Sequence, residues 1–129
     1  MAYTEGEGET KSVSRNEFHW QALIVKAAAT ETSPAADVAG CRDITVIVKA
    51  DTWTDNTGVF TFEVSPDNSN WHAVNDVISN AGTDGPVASI SFGAAGTEFV
   101  RIPHAAAWVR VKVTVTDTAG TYSAILMAN

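Results

Sequence analysis

A chain of 129 residues with eight Lys+Arg against fifteen Asp+Glu, a formal net charge of −7, is one domain by length and is repelled by phosphate backbones and anionic lipid. Nucleic acid and membrane are therefore not expected as partners. The single cysteine, Cys41, excludes an intrachain disulfide, and with no paired Cys/His spacing a structural zinc site is not expected either.

Residues 1–16 are polar and punctuated by Gly6 and Gly8, with almost nothing to bury. They read as an N-terminal arm, taken as residues 1–17, ahead of a domain spanning 18–129. Two readings of the arm stand: a frayed terminus, or a segment that orders only against a neighbouring subunit or partner. It contains no hydrophobic stretch like that of a signal peptide. The longest apolar runs, Ala22-Leu23-Ile24-Val25 and Ala105-Ala106-Ala107-Trp108-Val109, are far short of the ~20 residues of a membrane-spanning helix. The expectation is a protein that folds in a cytosol.

From Phe18 the pattern turns to strands. Phe18 to Ala28 sets Trp20, Ala22 and Ile24 on one face against Leu23 and Val25, and its β-branched centre favours a strand over a short helix. Ala27 to Asp37 is loop-like, its alanines leaving room for one helical turn. Arg42 to Trp53 predicts a central strand, with Ile44, Val46, Val48 and Ala50 facing one way and Thr45, Ile47 and Lys49 the other.

The stretch from Phe60 to Val74 writes a whole hairpin. Phe60, Phe62 and Val64 alternate with Thr61, Glu63 and Ser65, Pro66 to Asn70 supplies turn chemistry, and the chain returns through Trp71. Asn75 to Gly85 reads as a long polar connection with turns at Asn80-Ala81-Gly82 and Asp84-Gly85-Pro86, and Ala88 to Phe92 as a short strand with Ile90 and Phe92 on one face.

The last third is the most regular. Glu98 to Pro103 is a strand. Trp108 to Thr116 alternates four valines, 109, 111, 113 and 115, with Arg110, Lys112, Thr114 and Thr116, and Thr121 to Met127 returns after Asp117-Thr118-Ala119-Gly120. Four valines inward against four polar residues outward mark one buried and one wet face. The predicted fold is all-β: an antiparallel β-sandwich of seven or eight strands, jelly-roll or immunoglobulin-like, carrying an extended arm.

No catalytic motif stands out. His19, His72 and His104 lie beside a tryptophan or a proline rather than in ligand-spaced pairs, and read as strand-end or surface residues. Asp51, Asp55 and Asn56 in one loop and Asp67, Asn68 and Asn70 in another offer the hard oxygen ligands that calcium takes. Turns use the same side chains to satisfy their own backbone, and without an EF-hand pattern that reading comes first. Cys41 has one arginine beside it and no partnering base, so it reads as a structural thiol. Neither a catalytic residue nor a cofactor is assigned, and an enzyme is not expected. Of four tryptophans, Trp53 and Trp71 could serve as sugar-stacking platforms, although core or subunit contact is the plainer use of Trp20, Trp53, Trp71 and Trp108.

The phrase Phe62 to Trp71, followed by Phe99-Val100-Arg101-Ile102-Pro103, Trp108-Val109-Arg110-Val111-Lys112-Val113 and Gly120-Thr121-Tyr122-Ser123-Ala124, resembles small β-sandwich virion proteins of tailed bacteriophages. In these a Ser-x-Asp-x-x-x-Trp hairpin precedes an x-Val-Arg-Val-x-Val-Thr strand and a final Gly-Thr-Tyr-Ser-Ala strand. The resemblance covers residues 58–127 and leaves the arm unmatched. It implies a virion structural protein made in the host cytoplasm, foremost a capsid decoration (cement) protein that binds the major capsid protein and forms a homo-oligomer, a trimer by preference. Its alternatives are a tail-tube, baseplate or fibre-associated protein and a carbohydrate-binding module. On that reading Tyr3, Phe18, Trp20, Trp53, Asp84 and Pro86 are the candidate interface residues.

Overall fold

In the computed structural model the described residues are 19–52, 58–80, 85–92, 94–116 and 120–129. They contain eleven strands and no helix. Six are long: β1 (His19–Ala27), β4 (Ile44–Thr52), β5 (Gly58–Ser65), β9 (Gly96–Ile102), β10 (Trp108–Val115) and β11 (Thr121–Ala128). Five have two residues each: β2 (Glu31–Thr32), β3 (Ala36–Asp37), β6 (His72–Ala73), β7 (Ile78–Ser79) and β8 (Ile90–Ser91). The expected seven or eight strands are thus exceeded by short pieces in segments that read as loops. Isolated pairs of extended residues leave no periodicity to detect.

Two antiparallel sheets pack together. One runs β1-β11-β4-β9-β7; the other runs β2-β10-β5-β6, with β3 also on β10 and β8 also on β5. The pairing is nested: the first strand pairs with the last, β2 and β3 with β10, β4 with β9, and β5 with β6 and β8. A long hairpin rolled up on itself gives this wiring, so of the two predicted topologies the chain adopts the jelly roll. The Phe60 to Val74 hairpin is the innermost turn of that roll.

The core follows the period-two patterns. Ile44, Val46, Val48 and Ala50 of β4 face Phe60 and Phe62 of β5 and Val109, Val111 and Val113 of β10 across the sandwich, all 3% exposed or less. Burial of each such valine or phenylalanine contributes about 1.5–3 kcal/mol. Phe60 sits at the centre, with the rings of Phe92 and Tyr122 each edge-on to it at 6.1 Å. Val115, the last residue of β10, is only half-buried against the core.

β1 departs from the predicted alternation. Its register against β11 shifts between Ala22 and Ile24, a β-bulge that turns Leu23 and Ile24 both inward. Ile24, expected beside Trp20 and Ala22, is therefore 1% exposed and in the core. The connection after the hairpin is likewise more ordered than its polarity suggests. Val77 is fully buried and bridges Val87, and Ile78–Ser79 adds an edge strand to β9.

Candidate interaction surfaces

The two outer faces differ in chemistry. On β10 and β5 the outward residues are Arg110 opposite Glu63, Lys112 opposite Thr61 and Thr114 opposite Val59. Arg110 Nε donates to Glu63 Oε1 at 2.7 Å, and its guanidinium lies 4.2 Å from the ring centroid of Trp71. Trp71, for which core or subunit contact is the plainer expectation, sits half-buried at the surface, outside the core, with one ring face taken by a cation. A sugar-stacking role would have only the other face to use.

On the five-stranded sheet the first two outward rows are largely apolar. Trp20, Met127, Thr45, Arg101 and Ile78 form one row across β1, β11, β4, β9 and β7. Ala22, Ile125, Ile47 and Phe99 form the next, followed by Ser123, Lys49 and Thr97. Phe99 is 45% exposed, Val25 at the β1 edge 53%, and the other apolar members are half-buried. Neither of the first two rows contains an acid, although the chain has fifteen.

Of the predicted interface residues, Trp20 lies on this apolar face and Pro86 is exposed on the far connection, following Gly85 at φ +83°. Tyr3, Phe18, Trp53 and Asp84 lie outside the described residues. The two placed residues are not neighbours in either sheet: Trp20 pairs with Met127, and Pro86 lies outside the strands. Reasoning strand by strand singles out Trp20 but misses Phe99, Ile125, Met127, Ile47 and Ile78. The missing signal is the non-polar residue at the outward position of four successive partners, readable only once register is known.

The loop at Asp67 is turn chemistry, whereas Asp51 lies in β4 and bonds across strands. Asp67 Oδ1 accepts from the backbone N–H groups of Ser69 at 2.9 Å and Asn70 at 2.8 Å and from the Ser65 hydroxyl, while Oδ2 accepts from Asn70 Nδ2 at 2.6 Å. These donors, the two backbone groups foremost, hold the carboxyl well below the usual carboxylate range. Asn68 takes the left-handed conformation, φ +61°, that closes the turn. Of the other loop, Asp51 accepts from the Ser123 hydroxyl and lies 3.8 Å from Lys49 Nζ, and residues 53–57 lie outside the described residues.

Among the described residues no three His, Cys, Asp or Glu side chains converge. His104 Nε2 meets Asp76 at 2.8 Å on the surface, and His72 is exposed. Cys41 is half-buried against the core. Burial first, and the nearby Asp37 charge second, push its thiol up, away from the reactive thiolate. A groove of about 600 Å³ between Val64, Pro66, His72 and Ala105–Ala107 is apolar and open. It lacks the converging polar groups that orient a small ligand.

What the described surfaces define is a jelly-roll scaffold with one largely apolar outer face and one polar outer face that carries Arg110, Glu63 and Lys112. No family model matches the chain, and no curated protein is similar to it in sequence. Among solved structures it is similar to the SPBc2 prophage-derived protein YomS, with a TM-score of 0.64 and 13% sequence identity over 92% of this chain and 97% of that one. At that identity the likeness is one of fold, and it extends over nearly the whole of both chains.

Proposed function

We propose that this chain is a non-enzymatic structural protein of a tailed-phage particle, and within that class a capsid decoration protein that binds the major capsid protein on the outside of the shell. The observation that carries this reading is the near end-to-end likeness of fold to a prophage-derived protein. The phage-type motifs on β5, β10 and β11 support it, and so does a molecule whose recognisable chemistry lies on broad faces. Decoration would work by adhesion over area. Many copies each bury modest surface across capsomer boundaries, and valency multiplies contacts that are individually weak.

Co-sedimentation of the purified protein with phage particles tests it. Saturable binding at a copy number matching capsomer sites is the expected result. Binding at a few copies per particle, localised to the tail by electron microscopy, would replace decoration with the tail-associated role. Absence of binding to any particle would remove the virion reading.

A further inference from the structure

The outer face of the five-stranded sheet differs from the rest of the molecule in both polarity and charge. Seven of the nine residues in its first two rows are apolar: Trp20, Met127, Ile78, Ala22, Ile125, Ile47 and Phe99. The exceptions are Thr45 and Arg101. Antiparallel sheets that face water alternate apolar-in with polar-out, as β10 and β5 do here with Arg110, Glu63, Lys112 and Thr61. β4 and β11 break that alternation at Ile47, Ile125 and Met127, and no described segment covers them.

We infer that this face seats a second copy of the chain, sheet against sheet. Charge argues for a like partner. Two molecules of net charge −7 repel over most of their surfaces, and this face has no acid in its central rows and only Arg101 and Lys49 as cations. A strongly charged partner would be met by a cluster of opposite charges, whereas this face carries only Arg101 in its first two rows, with Lys49 of the third already beside Asp51, and a largely apolar surface fits another like itself. Interface cores are depleted of charge and enriched in aromatic residues, Met and Arg, which describes Trp20, Phe99, Met127 and Arg101.

Area is compatible with it. The twelve outward positions of the three rows, at the usual strand spacing, cover roughly 400 Å². Two such faces bury roughly 800 Å² together, and rim contacts from neighbours such as the exposed Val25 carry this toward the roughly 1,000 Å² of a specific interface. A second sheet at about 10 Å would complete a third and fourth layer by the same packing that joins the first two.

The inference deepens the homo-oligomer element of the decoration reading and can fail separately from it. The test uses the full chain. Sedimentation equilibrium should show self-association in the micromolar range, weakened about 10-fold or more by Phe99→Asp, the most exposed residue of the second row. Lys112→Asp, on the other sheet, should leave it unchanged. Phe99 is exposed enough that its variant should keep the parent's melting temperature at concentrations too low for self-association. As a check free of destabilisation, p-benzoylphenylalanine placed at position 99 should on irradiation give a covalent dimer linked between β4, β9 or β11 of two copies.

A protein that stays monomeric to roughly 100 μM, an oligomer indifferent to Phe99→Asp, or a cross-link from position 99 to residues 1–18 of the same molecule would each overturn the inference. Self-association through this face without particle binding would leave it standing and remove the decoration reading. Particle binding by a strict monomer would do the reverse.

Discussion

The ring of Tyr122 on β11 occupies the place where a side chain of residue 58 would be: a Cβ built on Gly58, the first residue of β5, would come within 3.0 Å of three of its ring atoms. Tyr122 is fully buried and also meets Phe60 edge-on at 6.1 Å, so one aromatic ring spans the two sheets where β5 begins. Glycine is needed at 58 for this close approach, not for an unusual backbone angle. Gly58→Ala is expected to lower stability by about 1–3 kcal/mol through overpacking, read from the urea midpoint. In a Tyr122→Leu background the same change should cost less than half as much. Equal costs in the two backgrounds would show that the ring is not what excludes the methyl group.

Asp67 should make the hairpin sensitive to acid. Its carboxyl is held below the ordinary range by donors that exist only in the folded turn. A depressed folded-state value means that the contribution to stability is complete above the unfolded value of about 4 and is lost as pH falls from there toward the folded value. Asp67→Asn removes that titration. The variant should be less stable than the parent at pH 7, with a gap that narrows steadily below about pH 4. A gap that stays constant down the acid limb would separate Asp67 from the linkage.

How far the sequence reveals this architecture depends on how local the deciding interaction is. The valine ladder of β10, the alternation of β4 and the hairpin at Pro66–Asn70 rest on side chains a few residues apart, and apart from the half-buried Val115 they are where the pattern puts them. Ile24 is misplaced because one extra residue against β11 reverses its face, and the bulge is set by a partner a hundred positions away. β2, β3 and β7 escape notice for the same reason: two extended residues become strands only because β10 and β9 run beside them. The apolar outer face is harder still. Trp20 and Met127 belong to opposite ends of the chain and become neighbours only in the closed roll.

Gln21 is a polar residue in an apolar row. It is 1% exposed on the inner side of β1, opposite Leu126, and its Oε1 has no hydrogen-bond partner among the described residues. A buried acceptor left unpaired costs about 1–3 kcal/mol. Gln21→Met, similar in length and without the acceptor, should therefore raise stability by about 1 kcal/mol, while Gln21→Glu should lower it by introducing a charge at the same place. Thermal melts at neutral pH distinguish these. Destabilisation by Gln21→Met would mean that the amide is engaged in solution.

The Arg110, Glu63 and Trp71 trio is expected to be coupled but modest. Arg110 and Glu63 are about a third exposed, at 30% and 33%, so water screens the pair, and a double-mutant cycle should return about 0.5–1 kcal/mol, decreasing in high salt. The stack on Trp71 is a separate contribution of about 0.5–1 kcal/mol that depends on the planar guanidinium. Arg110→Lys should thus retain much of the coupling to Glu63 and lose most of that to Trp71. Uncovering the indole should also move its emission to the red and increase quenching by iodide, measured against a Trp71→Phe reference that isolates this tryptophan from the other three. If Arg110→Lys preserved both couplings equally, charge alone would account for the trio, and the stacked geometry would contribute nothing to holding β6 against β5.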